Sequence, residues 1–357
     1  MFGIYVHIPF CSSKCDYCAF ATWTDRHHLI DAYLAALRRE ICRAIAGGMP
    51  VADTIFVGGG TPTLVPPDDL ADVIGSIPRS PDSEVTVECN PDDVDVAMLR
   101  SFVDGGVNRV SVGVQSMSAH VLTALGRTHD RDNVARSVEA IRDVGVPTFN
   151  LDLIYGAAGE SMADWQDTVA GALALDPPHV SAYGLTVEAG TPLAAQLDRH
   201  PDDDDQADKY EFVDEQLTRA GLANYEVSNW AVPGHESRHN LLYWRQQNYR
   251  GFGCAAHSHA DGRRWWNIRT PDRYIDAVTA GVSVEASSET LDVNQRRSEG
   301  QQLTLRTRDG VERSAFDEAT LELVGDMIVE HPTDPERVVL TRSGRLMAND
   351  ISVRLRD

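Results

Sequence analysis

The 357-residue chain is long enough for one large domain and a smaller one, each with a real core. Its 54 acidic residues against 32 basic ones give a net charge of −22, which excludes the basic footprint that a nucleic-acid partner needs. No apolar run approaches the ~18 residues of a membrane span, and no signal-peptide pattern precedes the strand-like start at Gly3, so a cytoplasmic protein is expected. Only Lys14 and Lys209 are lysine. An Asp-rich, Lys-poor surface suits a salt-in halophile such as a halophilic archaeon, beside the plainer reading of an ordinary acidic protein.

Gly3–Ile8 is the first of six short, apolar, β-branched runs, and it leads straight into Cys11-Ser12-Ser13-Lys14-Cys15-Asp16-Tyr17-Cys18. Three thiolates at C-x3-C-x2-C spacing can hold three irons of a [4Fe-4S] cube and leave the fourth iron open for chemistry. On spacing alone, zinc with His7, Asp16, His27 or His28 as a fourth ligand stays open, as do unliganded thiols. Disulfides fit poorly, because three is an odd number and Cys42, Cys89 and Cys254 are scattered.

The other runs are Thr54–Val57, Glu84–Glu88, Arg109–Val114, Thr148–Ile154 and His179–Leu185. Helical patterns alternate with them over Leu29–Ala46, Pro67–Ile77, Val96–Gly105, Arg131–Gly145 and Met162–Leu175. Such alternation predicts an α/β fold with a parallel sheet, closed as a barrel or partial barrel or left open and doubly wound. Polar groups and glycines gather at the carboxyl ends of the runs, where α/β folds keep their sites. They are Gly58-Gly59-Gly60-Thr61, Glu88, Gln115 and Asp152. Singly, each could equally make a tight turn or satisfy neighbouring backbone.

Past residue 186 the alternation fades. Asp202–Asp205 opens a helical stretch, Pro201–Gly221, as a solvated loop or helix start. Tyr225–Trp230 reads as a seventh strand. Trp230, Tyr243, Trp244, Tyr249, Phe252, Trp265 and Trp266 make an aromatic-rich stretch that would suit a flat apolar ligand or a second core, and His239 or His257 could ligate an iron there. Near the end, Asp317–Glu330 and Asn349–Leu355 read as helices, and Arg337–Leu346 reads as strand, turn, strand.

Together these residues resemble the radical S-adenosyl-L-methionine (SAM) superfamily, whose signature Cys11–Cys18 matches, with Tyr17 before the last cysteine. Tyr5–Cys11, Gly58–Thr63, Glu88, Gly113–Ser116, Leu125–His129 and Asn150–Gly156 are similar to the oxygen-independent coproporphyrinogen III oxidase family, over about residues 2–355. The resemblance implies a partial (β/α)6 TIM-like barrel with a [4Fe-4S] cluster on Cys11, Cys15 and Cys18 at its open top. SAM would chelate the unique iron, with Gly60 and Thr61 along its methionyl part and Glu88 at the ribose. Tyr5 and Tyr17 would stand beside the cofactor, Tyr5 being the catalytic candidate. Gln115, Arg127 and Asp152 match contacts to a second SAM in the oxidases.

Two departures from the oxidases stand out. Phe20 occupies the place of their fourth cysteine, and their N-terminal extension has no counterpart before Gly3. His239-Asn240-x-x-Tyr243-Trp244 instead matches the family's heme-chaperone branch. That branch implies heme as a ligand, with His239 a candidate contact, and delivery to apo-heme acceptor proteins such as membrane respiratory enzymes. It also implies an electron donor such as ferredoxin or flavodoxin, and a cluster that serves integrity, homodimerisation or gated transfer. The alternative is an enzyme of porphyrin biosynthesis that cleaves SAM reductively and decarboxylates coproporphyrinogen III. The expected organisation is a barrel over 1–230, an aromatic-rich heme-contact segment over 231–285 and a winged-helix-like α+β lobe over 286–357.

The acidic excess makes one prediction by itself. Unscreened self-repulsion should cost the protein structure at low ionic strength, and salt should restore it. A circular-dichroism spectrum unchanged between no added salt and molar salt would contradict this.

Overall fold

The computed structural model describes residues 1–355. The six apolar runs form β1 (Phe2–Ile8), β2 (Ala52–Gly59), β3 (Arg79–Cys89), β4 (Arg109–Gln115), β5 (Thr148–Tyr155) and β6 (His179–Gly184). They pair in parallel and in chain order. Between them lie α1 (Ile30–Ala46), α2 (Pro67–Gly75), α3 (Val96–Asp104), α4 (Ala119–Ala124), α5 (Arg131–Asp143) and α6 (Met162–Leu173). β1 and β6 do not pair with each other, so the barrel is partial.

Each strand has two unlike faces. Ile4, Val6, Ile55, Val57, Val85, Val87, Val110, Val112, Leu151, Leu153 and Val180 are fully buried in the main core, which the helices also line. The alternate positions carry Thr86, Glu88, Ser111, Asn150, Asp152 and Ser181, and these face the lumen. Period-two alternation thus runs through strands that a fully packed barrel would leave apolar on both sides.

The sheet continues beyond both ends of the barrel. α7 (Asp203–Arg219) begins where Asp202 accepts the Asp205 amide, with Asp203, Asp204 and Asp205 in its first turn, so the aspartate run is a helix start. Its Lys209 is fully buried, bonding Asp205 and both the carbonyl and the carboxylate of Glu160. Where one seventh strand was expected, the chain forms an antiparallel pair, β7 (Ala223–Glu226) and β8 (Asn229–Ala231), turning at Val227–Ser228. β8 pairs antiparallel with β6.

α8 (Arg238–Trp244) then packs against β1 and β2, its first amides bound by Glu84. β9 (Asn248–Phe252) runs parallel to β1, and β10 (His257–Ala260), β11 (Arg263–Asn267) and β12 (Glu285–Thr290) extend the sheet antiparallel. The aromatic-rich stretch is therefore largely sheet.

A small α+β lobe closes the chain. Its core holds Leu305, Phe316, Val338 and Ile351, and its three-stranded antiparallel sheet joins Val311–Glu312, Ile328–His331 and Asp334–Leu340. Two readings are corrected here. The helix from Glu318 stops at Val324, because Gly325 turns the backbone to φ +45° and, after a single turn over Gly325–Met327, Ile328–His331 pair as a strand. Arg342–Leu346 is a helix capped by Thr341, not a returning strand. Arg342 and Arg345 fasten the lobe to Asp214 of α7 at 2.5 and 2.7 Å. No helix among the described residues is long and apolar enough to cross a membrane.

Glu226 is 2% exposed, and burial pushes its carboxyl up to about 7 against hydrogen bonds from Asn229 and the Ser228 amide. The folded state therefore holds this proton more tightly than the unfolded chain. The stability it contributes is fully present below the unfolded value of about 4.3 and is lost as pH rises through about 7. Glu226→Gln should remove that slope. Between pH 5 and pH 8 the variant should gain about 2–3 kcal/mol on the wild type in urea unfolding; parallel pH profiles would refute this.

Candidate functional site

The cysteine loop leaves β1 at Pro9 and folds back on itself. The Trp23 amide donates to the Pro9 carbonyl at 2.8 Å, and the Cys11 amide donates to the Trp23 carbonyl at 3.1 Å. Phe10 is fully buried, edge-on to Tyr33. The glycine loop after β2 is stitched to the same segment: the Gly60 amide donates to Ile8 and the Thr61 amide to Phe10, both at 2.7 Å. A Cβ on Gly60 would lie 2.5 Å from the Phe10 carbonyl oxygen, so only glycine permits this approach. Thr61 Oγ1 donates to Cys11 Sγ at 3.7 Å.

Cys11, Cys15 and Cys18 are free, half-buried, and line one cavity of about 590 Å³. Burial raises the Cys11 and Cys18 thiols above their ordinary values. A strap across residues 186–202 holds the loop from outside. The Leu193 amide donates to the Asp16 carbonyl at 3.0 Å, and Arg199 binds the Asp16 carboxylate at 2.9 Å. Tyr17 packs against the strap beside Val187 and Leu193.

The same cavity gathers most residues expected at the site: Tyr17, Gly60, Thr61, Glu88, Gln115, Arg127 and Asp152. Glu88 accepts the Gly59 amide at 3.0 Å, and a Cβ on Gly58 would sit 2.5 Å from its carboxylate. Burial, reinforced by the charge of Asp152, pushes the Glu88 carboxyl up to about 7. Asp152 accepts Ser111 Oγ and Asn150 Nδ2, each at 2.7 Å, and burial raises it too. Arg127 reaches Asn90 at 3.3 Å, while its buried Nε has no protein partner. Gln115 ends β4 at φ +62°, a conformation that side chains rarely adopt and that costs on the order of 1–3 kcal/mol.

Two expected residues do not line the cavity. Tyr5 is not part of the cavity lining; its hydroxyl meets His7 Nδ1 at 3.0 Å, and His7 Nε2 meets the Ala21 carbonyl at 2.9 Å. His239 is fully buried behind the lumen, with Nδ1 on Thr54 Oγ1 at 2.8 Å and Nε2 on Tyr243 at 2.7 Å. Its ring stacks on Phe56, and burial holds it neutral, at about 3. Its neighbour Asn240 lines the cavity instead. Arg109 and His179 also line the cavity and were missed as site residues. Their signal was polar residues at alternate positions of otherwise apolar strands.

The donor chemistry fits a cluster. Three soft thiolates without a fourth suit a cube with one open corner. Among the described residues, no three His, Cys, Asp or Glu side chains gather as they would around a single ion. Arg127 and the acids Glu88 and Asp152 line the same cavity and offer it polar groups for a ligand bearing both charge signs.

Comparison with known proteins agrees with this geometry. The model of the Radical SAM superfamily matches residues 5–170. The chain is 38% identical to the heme chaperone HemW of Mycobacterium tuberculosis, over 98% of this chain and 93% of that protein. It is 33% identical to the heme chaperone HemW of Bacillus subtilis, over 98% of both. The coproporphyrinogen III oxidase HemN of Escherichia coli, described as a radical SAM enzyme, superimposes with a TM-score of 0.83 at 21% identity. That superposition covers 99% of this chain and 89% of HemN, and it confirms the fold.

Gly60→Ala tests the stitch between the two loops. Overpacking should cost about 1–3 kcal/mol, and iron retained per chain after anaerobic reconstitution should fall at least two-fold. Wild-type iron content would show that the loops do not depend on this contact.

Proposed function

The chain belongs to the heme chaperone HemW family within the radical SAM superfamily, and on that premise we propose that it binds heme and passes it to apo-heme proteins. The observation that carries this reading is the likeness to curated heme chaperones along nearly the whole chain. The acceptors would include membrane respiratory enzymes, and a ferredoxin or flavodoxin would supply electrons.

Cys11, Cys15 and Cys18 would hold a [4Fe-4S] cluster at the cavity mouth. When bound, that cluster supplies an open iron for SAM and a route for single electrons. The residues around it divide the remaining work. Gly60 would bring bare backbone to the methionyl side, since no Cβ fits there, and Thr61 would line that side beside it. Glu88, anchored by the Gly59 amide, would bind the ribose. Arg127 carries positive charge beside Tyr17 and the cysteines, where an anionic cluster would need it. Tyr5 would act through His7, which ties β1 to the carbonyl of Ala21.

The oxidase reading shares the barrel and most of the cavity. Against it stands Phe20, 65% exposed at the mouth where that family carries a further cysteine.

Anaerobic reconstitution with iron and sulfide should yield about four irons per chain, and hemin should then give a saturable Soret band. Incubation with coproporphyrinogen III, SAM and a reductant should give no decarboxylated product. Such a product would overturn the chaperone-only reading, and recovery of zinc in place of iron would overturn the cluster.

A further inference from the structure

A heme carrier needs an axial ligand that iron can reach, and resting on that reading the structure narrows the choice. Of the twelve histidines, ten have a ring nitrogen in a hydrogen bond. His239 is among them, buried with both nitrogens engaged, so it offers iron no lone pair. Among the described residues only His28 and His257 have rings free of hydrogen bonds. His28 has no aromatic neighbour, whereas His257 is exposed and stacks on Trp266, with centroids 5.7 Å apart and planes 25° apart.

The surroundings of His257 suit a flat macrocycle. His257 and Trp266 face each other in register across β10 and β11. His259 aligns with Tyr249, and Tyr249 with Gly3, so alternation places His257 on the sheet face that carries Tyr5 and His7. His257 is close enough to His7 that a charge on it would act on that ring, and His7 in turn holds the cysteine loop at Ala21. This face therefore leads to the cluster loop. Arg264, two residues before Trp266 on the same face, is the nearby cation, shared between Glu289 and Glu299. Burial and Arg264 hold the His257 ring below its ordinary pKa, in the neutral form that ligates metal.

We propose that His257 is the axial ligand of the carried heme, with Trp266 stacked beside it and the sheet face of β9–β11 as the docking surface. An exposed ligand on an open sheet holds iron by one bond and releases it by breaking that bond, which suits a carrier better than an enclosed pocket.

The test is a hemin titration of the anaerobically reconstituted full chain, followed by the Soret band. His257→Ala should weaken binding at least ten-fold while cluster absorbance and circular dichroism stay as in the wild type. Free imidazole should restore the wild-type spectrum, and His257→Tyr should give a tyrosinate-ligated spectrum. His28→Ala should bind as the wild type does. Unchanged heme affinity and spectrum in His257→Ala would overturn the assignment. So would a loss that imidazole cannot rescue, which would leave only a packing role. A wild-type chain that takes up no heme would instead overturn the carrier reading.

Discussion

Six parallel strands turn isoleucine and valine toward the helices and threonine, serine, asparagine and carboxylates toward the lumen. That division permits a polar cavity at the centre of the barrel. Burying the outer faces supplies the cohesion, at roughly 25 cal/mol for each Å² of apolar surface removed from water. The inner faces contribute little packing. Their polar groups satisfy one another in a chain from Asp152 through Asn150 and Ser181 to Asn229 and Glu226. The chain stops short of full satisfaction at Thr86, Arg109 and Arg127, each of which keeps a buried atom without a protein partner. All three residues line the cavity, as expected of a lumen built to hold a polar ligand or water rather than a core.

The cysteine loop depends on this frame but is not part of it. Its cysteines hold only a half-buried rim, and its shape comes from main-chain bonds to Trp23, Gly60 and Thr61 and from the strap at Asp16. A loop fixed through its backbone leaves the sulfurs free to turn toward a cluster. The same economy explains the adjacent glycines. Gly58 makes room for the Glu88 carboxylate, Gly59 takes a positive φ and donates to it, and Gly60 lets two loops touch. Each substitution in this triplet would strike a different neighbour.

The barrel was legible because its strands and helices announce themselves by period. The inward residues were legible too, since Glu88 and Gln115 fall at strand ends and Asp152 is a lone carboxylate inside an apolar strand. The second half was harder to read for a physical reason. β9 to β12 are short, mixed in direction and rich in aromatics, and such residues fit a sheet and a separate core equally well. Tyr225–Trp230 looked continuous because nothing local marks the turn at Val227–Ser228; Asn224 and Glu226 stabilise it through side chains. The break at Gly325 needed its positive φ to be seen. Arg109 went unmarked because an arginine opening a strand usually reads as solvent-facing, yet this one is 2% exposed.

The His239 motif borders the site while its histidine side chain is engaged with the protein itself. Its histidine is locked on four sides: Glu84 binds the backbone amide, Thr54 and Tyr243 bind the ring, and Phe56 stacks on it. Freeing either nitrogen for iron would break a buried hydrogen bond worth about 1 kcal/mol and would leave Thr54 or Tyr243 without that partner. Asn240, one residue on, lines the lumen. The motif is thus built as a floor: its histidine fastens α8 to β1 and β2, and that fastening holds Asn240 under the cavity. Substituting His239 would alter the cavity through its floor, so a heme effect from that position alone does not identify a ligand.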